Sequence, residues 1–125
     1  MIAGIGTDIA AIVRLGKLYE RHGERALEKL LAPVERVEFT QAIDPPRFLA
    51  KRFAAKEAFG KALGTGVAAP ATLPNIAVIH DALGKPSFDY APVLAAYLAE
   101  RGLVAHLSIS DEQDFAIAFV VLEHA

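Results

Sequence analysis

The sequence has no cysteine and no tryptophan, and none of its apolar runs approaches the roughly 18 residues that a membrane-spanning helix needs. Without cysteine, the chain cannot rely on disulfide bonds. No positively charged segment with an apolar core precedes the first predicted strand, so we expect neither a signal peptide nor a membrane anchor. Together these absences favour a cytoplasmic protein.

An excess of positive charge is also missing. The 13 lysine and arginine residues are outnumbered by 15 acidic residues, and the formal net charge is −2. Domains that bind nucleic acid usually carry a strongly basic face. We therefore expect no nucleic acid partner.

Hydrophobic residues are abundant, at 54% of the 125 residues. This fraction is more than a domain of such a size usually needs to fill its own interior. The length predicts a single domain, residues 1–125. The surplus of apolar residues predicts that the domain assembles into an oligomer.

Hydrophobic periodicity divides the first half of the chain into short elements and one long helix. The first predicted strand, residues 2–8, has Asp8 at its carboxyl end. A helix begins near Ile12 and is capped by Gly23, and shorter helices follow over residues 24–31 and 34–43. The long helix, residues 46–63, begins at Pro46 because proline is tolerated in a first helical turn.

The second half predicts strands and one more helix. Strands 75–80 and 86–88 form a hairpin, a helix begins at Pro92 and is closed by Gly102, and strands 103–110 and 115–122 follow. The last strand is apolar on both faces, so it must be covered twice, and another subunit can supply the second cover. The predicted fold class is α+β, with a small, mostly antiparallel sheet packed on the long central helix.

Two acidic residues in apolar surroundings are the leading candidates for chemistry. Asp8 follows the glycine-rich segment 4–7, and Glu57 lies in the segment RFAAKEAFGK, residues 52–61. If the chain folds Asp8 against Glu57, the pair supplies the one or two carboxylates by which proteins usually hold Mg²⁺ beside substrate phosphates. The sequence thus predicts a site that handles phosphate groups.

Each of these residues also has a simpler interpretation. Asp8 can cap the helix or turn that follows it, and Glu57 with Lys61 can be a solvated helix pair worth only about 0.2–0.5 kcal/mol. Small and apolar neighbours favour a partly buried cleft for that pair. Lys56 lies about 100° around the helix from Glu57. We expect Lys56 either to contact another part of a ligand or to support the fold.

Three further sites have both a structural and a functional interpretation. Gly64-Thr65-Gly66 is either the C-terminal cap of the long helix or a loop that a ligand can approach closely. Lys85, between Gly84 and Pro86, is typical of a hairpin turn and is also a candidate for phosphate binding. His106 and Ser108 project to the same side of a predicted strand. His106 is either a structural residue or a ligand contact.

A basic stripe marks the first helix. Arg14, Lys17 and Arg21 are spaced three and four residues apart, with Leu18 beside them. Such a stripe is commonly a solvated surface. A charged stripe with an apolar centre also suits a transient protein partner, because it speeds encounter more than it tightens binding.

Taken together, these motifs resemble the holo-[acyl-carrier-protein] synthases, the small bacterial class of 4'-phosphopantetheinyl transferases. The resemblance extends from Met1 to about Val121 and rests on four motifs in the family's order: G-x-G-x-D-I from Gly4, F-x-x-K-E-A-F-x-K-A-x-G-T-G from Phe53, G-K-P from Gly84 and H-L-S-I-S from His106. One departure is visible, because the family often continues the last motif with histidine where this chain has Asp111. No role of that histidine is carried over.

The resemblance implies a reaction and a catalytic site. It implies transfer of 4'-phosphopantetheine from coenzyme A to a serine of apo-acyl carrier protein, with release of adenosine 3',5'-bisphosphate, in fatty acid biosynthesis. Asp8 and Glu57 are expected to bind Mg²⁺, which holds the pyrophosphate of coenzyme A. Lys61 is expected to bind phosphate and to balance charge during transfer, which makes Asp8, Glu57 and Lys61 the expected catalytic residues.

The resemblance also implies further binding residues and an assembly. The residues expected to contact coenzyme A are Lys61, Gly64, Gly66, Lys85 and His106. The residues expected to receive acyl carrier protein are Arg14, Lys17, Leu18 and Arg21. The implied assembly is a homotrimer with active sites at the subunit boundaries, and the apolar last strand is consistent with it.

Two other classes of function stay open. A noncatalytic module that binds an acidic helical partner needs the basic stripe but neither Asp8 nor Glu57. Another small Mg²⁺-dependent nucleotide phosphohydrolase uses the carboxylates without a protein acceptor. Within the favoured function, either Glu57 or a water of the metal's hydration shell takes the serine proton, and we favour the water because a metal-ligating side chain is the poorer base.

Overall fold

The structure is a computed structural model that describes residues 1–125. It confirms the predicted α+β class, with five strands and five α-helices, one of which is long and central. The elements, in chain order, are β1 Ile2–Ala11, α1 Ile12–His22, α2 Glu24–Leu30, α3 Pro33–Phe39, α4 Pro45–Leu63, a 3₁₀ helix Leu73–Asn75, β2 Ile76–His80, β3 Pro86–Tyr90, α5 Pro92–Glu100, β4 Leu103–Asp111 and β5 Phe115–His124. No helix combines the length and the apolar composition needed to cross a bilayer.

Two antiparallel sheets flank α4. The larger sheet has the strand order β1-β5-β4, and the smaller one is the β2–β3 hairpin. Along β5 the side chains alternate in burial, because one face packs on α4. The residues of that inner face, all at most 1% exposed, are Ala116, Ala118, Val120 and Leu122.

Alanines and glycines let α4 and β1 approach each other closely. On α4 the buried positions include Ala50, Ala54 and Ala58, each fully inaccessible to solvent. A Cβ added at Gly4 or Gly6 of β1 would lie only 2.0 Å from the backbone oxygen of Ala62 or Ala58, respectively. The missing side chains therefore allow the strand backbone to contact the helix backbone directly.

Local sequence signals define the ends of α4. Asp44 caps its first turn, with Oδ1 accepting a hydrogen bond from the backbone N–H of Arg47 at 3.2 Å. At the other end Gly64 adopts a left-handed conformation with φ of 87°, which ends the helix. The prediction of a helix over residues 46–63 is thus correct to within one residue.

Two predicted boundaries are wrong by three or more residues. Strand β1 continues to Ala11, so Asp8 lies within the strand and not at its carboxyl end. It continues because Asp8 to Ala11 pair with Ala118 to Phe115 of β5, a partner that local sequence does not reveal. Helix α3 ends at Phe39, before the predicted end at Ile43, and a tight turn follows at Thr40.

Candidate active site

Asp8 and Lys61 form an ion pair across the β1–α4 contact. Asp8 has the same strand parity as Gly4 and Gly6, so its side chain points towards α4. Lys61 Nζ donates to Asp8 Oδ1 at 3.1 Å and to the backbone oxygen of Thr7 at 3.0 Å. The side chain of Lys61 is 55% exposed and that of Asp8 is 16% exposed. The pair thus lies at a surface that a ligand can reach.

Glu57 lies one helical turn before Lys61, and its carboxylate interacts with that of Asp8. Burial raises the pKa of Glu57 above its usual value, and the negative charge of Asp8 raises it further. Lys61 and Arg14 oppose this rise in the pKa of Glu57. The structure therefore brings the two predicted carboxylates and Lys61 into one electrostatic site.

The donor set of this site fits Mg²⁺. Two carboxylates that repel each other are better accommodated when a cation lies between them, and hard oxygen ligands are what Mg²⁺ prefers. No group of three or more acidic, histidine or cysteine side chains is present that would form an all-protein cage. A pair of carboxylates leaves positions for water and for substrate oxygens, so Asp8 and Glu57 are suited to hold the ion beside a phosphate.

Glu57 also forms part of the wall of a cavity of about 520 Å³ between α1, α2 and α4. The cavity is mostly apolar, and its other charged residues are all potentially basic. The apolar lining includes Leu18, Leu30, Phe53 and Leu73, and the basic side chains are His22, Arg25 and Lys29. The cavity can therefore take an apolar group next to Glu57 while favouring a negatively charged partner at its rim.

The predicted basic stripe forms a groove next to this cavity. Arg14, Lys17, Leu18 and Arg21 all line one surface depression of about 360 Å³. The guanidinium of Arg14 lies over the ring of Phe53 at 5.3 Å. Leu18 belongs to both the groove and the cavity. The structure thus brings the four predicted partner-binding residues together and joins them to the wall that carries Glu57.

Gly64 and Gly66 are in the loop that follows α4 and folds back on it. Both have positive φ, 87° and 69°, and Gly66 donates its N–H to the backbone oxygen of Gly60 at 3.0 Å. A side chain at Gly60 would collide with this loop, since its Cβ would lie 2.7 Å from the carbonyl carbon of Gly66. Nothing lies within 4 Å of a Cβ added at Gly64 or Gly66, so the outer side of the loop is open. The loop thus caps the helix and also leaves its backbone accessible to a ligand.

Lys85 and His106 are not part of this cluster within one chain. Lys85 lies in the β2–β3 hairpin, where its backbone N–H donates to Asp81 Oδ1 at 2.9 Å and its side chain forms no ion pair. His106 is opposite Val121, which is opposite Ile5, so it projects from the outer face of the large sheet while Asp8 projects from the inner face. Its Nε2 lies 2.7 Å from Glu123 Oε1.

Asp111 has a structural partner. Its carboxylate accepts a hydrogen bond at 2.8 Å from Arg47, which also donates to the backbone oxygens of Glu112 and Gln113. Asp111 thereby fastens the β4–β5 turn to the first turn of α4. The residue that departs from the family pattern is thus part of a turn anchor.

Two features of this region were not predicted from the sequence. One is the basic rim on α2, where Arg25 and Lys29 have the same i, i+4 spacing that identified the stripe on α1. The other is a buried ion pair between Lys56 and Glu35, both 0% exposed. Burial lowers the pKa of Lys56 to about 8, although Glu35 acts in the opposite direction. Lys56 therefore supports the fold, which was one of its two predicted roles.

Comparisons with known proteins agree with this architecture. Residues 4–120 match the family model described as the 4'-phosphopantetheinyl transferase superfamily. The holo-[acyl-carrier-protein] synthase of Dechloromonas aromatica (strain RCB) is 62% identical over 125 residues, which is 100% of both chains.

Solved structures give the same result. The crystal structure of holo-[acyl-carrier-protein] synthase from Neisseria meningitidis superposes with a TM-score of 0.95 at 50% identity, covering 98% of this chain and 99% of that one. The Helicobacter pylori holo-[acyl-carrier-protein] synthase, solved in complex with coenzyme A, has a TM-score of 0.82 at 30% identity over 95% of this chain and 99% of that one. This chain therefore belongs to the holo-[acyl-carrier-protein] synthase family of the 4'-phosphopantetheinyl transferase superfamily.

Proposed function

We propose that this protein transfers the 4'-phosphopantetheine group of coenzyme A to a serine hydroxyl of an apo-acyl carrier protein and releases adenosine 3',5'-bisphosphate. One observation carries the proposal. In a chain of this family, two carboxylates and a lysine, Asp8, Glu57 and Lys61, converge where β1 contacts α4. A relative that is 30% identical was solved in complex with coenzyme A.

Phosphoryl transfer needs positioning and charge neutralisation more than covalent catalysis. Asp8 and Glu57 would hold Mg²⁺, which would neutralise negative charge on the diphosphate of coenzyme A. Lys61 Nζ has three donors and uses two of them on Asp8 and Thr7, so one remains for a phosphate oxygen.

The basic groove and the rim of the cavity form the proposed docking surface for acyl carrier protein. The side chains of this surface are positive or apolar, although the whole chain has a net charge of −2. An acidic helical partner would be attracted to Arg14, Lys17 and Arg21 and would contact Leu18 at their centre. Arg25 and Lys29 of α2 extend the surface towards Glu57.

We further propose the homotrimer, with active sites at the subunit boundaries. The outer face of the large sheet exposes apolar side chains that one chain leaves in contact with water, namely Ile5, Ile9, Phe115, Ile117 and Phe119. A second subunit on this face would cover them. His106 projects from this same face, so its expected contact with coenzyme A, like that of Lys85, would be made across a subunit boundary. A single domain over residues 1–125, the cytoplasmic location and the role in fatty acid biosynthesis stay predictions from the sequence.

Mass spectrometry of a carrier protein tests the function directly. Apo-acyl carrier protein incubated with this protein, coenzyme A and Mg²⁺ should gain the mass of one phosphopantetheine group, and it should gain nothing when Mg²⁺ is removed by a chelator. Asp8→Ala and Glu57→Ala should each slow the transfer at least about 10²-fold, because each removes one of the two proposed metal ligands. Asp111→Asn, an aspartate change at the end of β4, is the matched control and should leave the rate unchanged.

The same experiment separates the two competing functions. Consumption of coenzyme A without a mass gain on the carrier protein would indicate a phosphohydrolase. Intact coenzyme A together with a stable protein complex would indicate a noncatalytic binding module. Either outcome would contradict the proposal.

A further inference from the structure

Lys56 connects α4 to two neighbouring segments and to an acidic side chain, and both charged side chains are fully buried. Its Nζ donates to Glu35 Oε1 at 2.5 Å, to the backbone oxygen of Leu30 at 2.8 Å and to that of Leu73 at 3.1 Å. An ammonium group has three donors, so Lys56 has none left over. It therefore ties the end of α2 and the 3₁₀ helix to α4 at one point.

Glu35 extends the same connection to two more segments. Its Oε1 accepts from the backbone N–H of Ala32 at 2.9 Å, and its Oε2 accepts from that of Val78 in β2 at 2.9 Å. The guanidinium of Arg52 lies 3.4 Å from Oε2 and also reaches Glu38. The cluster of Lys56, Glu35 and Arg52 thus holds α2, α3, α4, the 3₁₀ helix and β2 in one arrangement.

Stability alone does not account for such a cluster. An apolar replacement of similar volume is often at least as stable as a buried ion pair, because desolvation of the charges costs about as much as their attraction returns. What the cluster adds is a defined geometry of the segments that it joins. Leu30 and Leu73, the two residues whose backbone oxygens bind Lys56, both line the cavity beside Glu57. Lys56 is the residue immediately before Glu57 on α4.

We infer that Lys56 is a positioning residue for the transfer reaction, and that with Glu35 it sets where the cavity walls at Leu30 and Leu73 lie relative to Glu57. This inference rests on the proposed function. A group that enters the cavity would be aligned with Glu57 only while both walls are held by the same lysine. A displacement of about 1 Å in a reacting pair can cost on the order of 10²-fold in rate, so loss of the tie should lower kcat.

The test makes the buried pair neutral without leaving a lone charge. In Lys56→Met/Glu35→Gln the carboxylate and the ammonium are removed together, and the glutamine oxygen can still accept one backbone N–H. The matched control is Arg47→Met/Asp111→Asn, which removes an exposed ion pair between α4 and the β4–β5 turn. Thermal unfolding, steady-state kinetics with coenzyme A and apo-acyl carrier protein, and amide hydrogen exchange are measured for both variants.

We expect the neutral variant to be folded at the assay temperature and to have a kcat at least about tenfold lower than that of the unsubstituted protein. Its KM for coenzyme A should change by less than about threefold, since Asp8 and Lys61 are unaltered. Amide exchange should accelerate in residues 30–35 and 73–78 and not in β1 or β5. The control should match the unsubstituted protein in kcat and KM, and any faster amide exchange should be confined to the β4–β5 turn and the first turn of α4.

A folded neutral variant with unchanged kcat would overturn the inference, and so would exchange that accelerates evenly over the whole chain, because Lys56 would then act only through global stability. If the double variant does not fold, Glu35→Asp provides the test, since it keeps both charges of the buried pair and shortens the acidic side chain by one methylene group. It should show a smaller loss of kcat, and an unchanged kcat would again contradict the inference. If the unsubstituted protein transfers nothing, the proposed function fails, and the exchange measurement still decides whether Lys56 fixes the two walls.

Discussion

Helix α4 carries the lysines of two lysine–carboxylate pairs. The two pairs have the same chemical groups but differ in solvent exposure and in hydrogen bonding. Lys56 and Glu35 are both 0% exposed, and every donor of the lysine is used within the protein. Lys61 and Asp8 lie at the surface, and the lysine keeps one donor unused. The first pair is complete within the chain, whereas the second is able to bind something else.

The balance of charge differs in the same way. Around the buried pair, two cations, Lys56 and Arg52, are matched by Glu35 and Glu38. At the open pair, the carboxylates of Asp8 and Glu57 have only Lys61 as a directly bonded cation. An open site whose carboxylates are only partly neutralised by direct bonds attracts a cation, while a closed cluster with balanced charge holds the surrounding segments in place. Exposure and unused bonding capacity, more than residue type, therefore distinguish a candidate catalytic pair from a structural one.

The largest contrast between the two pairs should appear in stability. Lys56→Ala leaves Glu35 charged, buried and without its main partner, and breaking a buried pair in this way typically costs about 3–5 kcal/mol. Lys61→Ala removes a lysine that is mostly exposed, so the free energy of unfolding should change by less than about 1 kcal/mol. Denaturant-induced unfolding of both variants measures the difference. Equal losses would show that the two pairs have the same role.

A second prediction concerns the contact that creates the open pair. Gly6→Ala places a methyl group 2.0 Å from the backbone oxygen of Ala58, so β1 must move away from α4. We expect a loss of about 1–3 kcal/mol in the free energy of unfolding, together with reduced transfer, because Asp8 moves with the strand. Amide exchange around the Lys56 cluster, which contains no residue of β1, should be the same as in the unsubstituted protein.

Gly16→Ala is the matched control for this change. Its Cβ would lie 3.2 Å from side-chain carbons of Pro46, a contact that a small shift can relieve, and alanine favours a helix by about 1 kcal/mol over glycine. The free energy of unfolding should therefore fall by less than in Gly6→Ala. Normal transfer activity in Gly6→Ala would separate the approach of β1 from the chemistry of the site.

The sequence predicts the open pair far better than the buried one. Asp8, Glu57 and Lys61 stand out locally, because each is a charged residue among small and apolar neighbours. The long helix is likewise predicted by its proline start and glycine end. The sequence predicts a metal site only if Asp8 and Glu57 come together, and it does not show that they do. Their approach depends on the direct contact of β1 with α4 through Gly4 and Gly6.

Glu35 has no such local signal. It lies between Val34 and Arg36 in a short helix with several charged residues, where a solvated position is the ordinary expectation. Its burial follows from contacts with Lys56 and with Val78, which are 21 and 43 residues away in the chain. The end of β1 was misjudged for a related reason, since its last residues pair with β5 at the far end of the sequence. Long-range pairing of this kind cannot be inferred from periodicity.

The smallest predicted effect tests whether the two carboxylates of the open pair are close enough to share a cation. Asp8 is one of the groups that raise the pKa of Glu57, so Asp8→Asn removes a negative neighbour and makes the ionised form of Glu57 easier to reach. The pKa of Glu57 should therefore fall towards its usual value, while the contribution of burial keeps it from falling the whole way. Lys61, released from Asp8, would act in the same direction.

A pH titration of the Glu57 carboxyl carbon by NMR, with Asp111→Asn as the control that leaves this pKa unchanged, measures the shift. An unaltered pKa in Asp8→Asn would mean that the two carboxylates do not interact and that a metal ion shared between them has no basis in this fold.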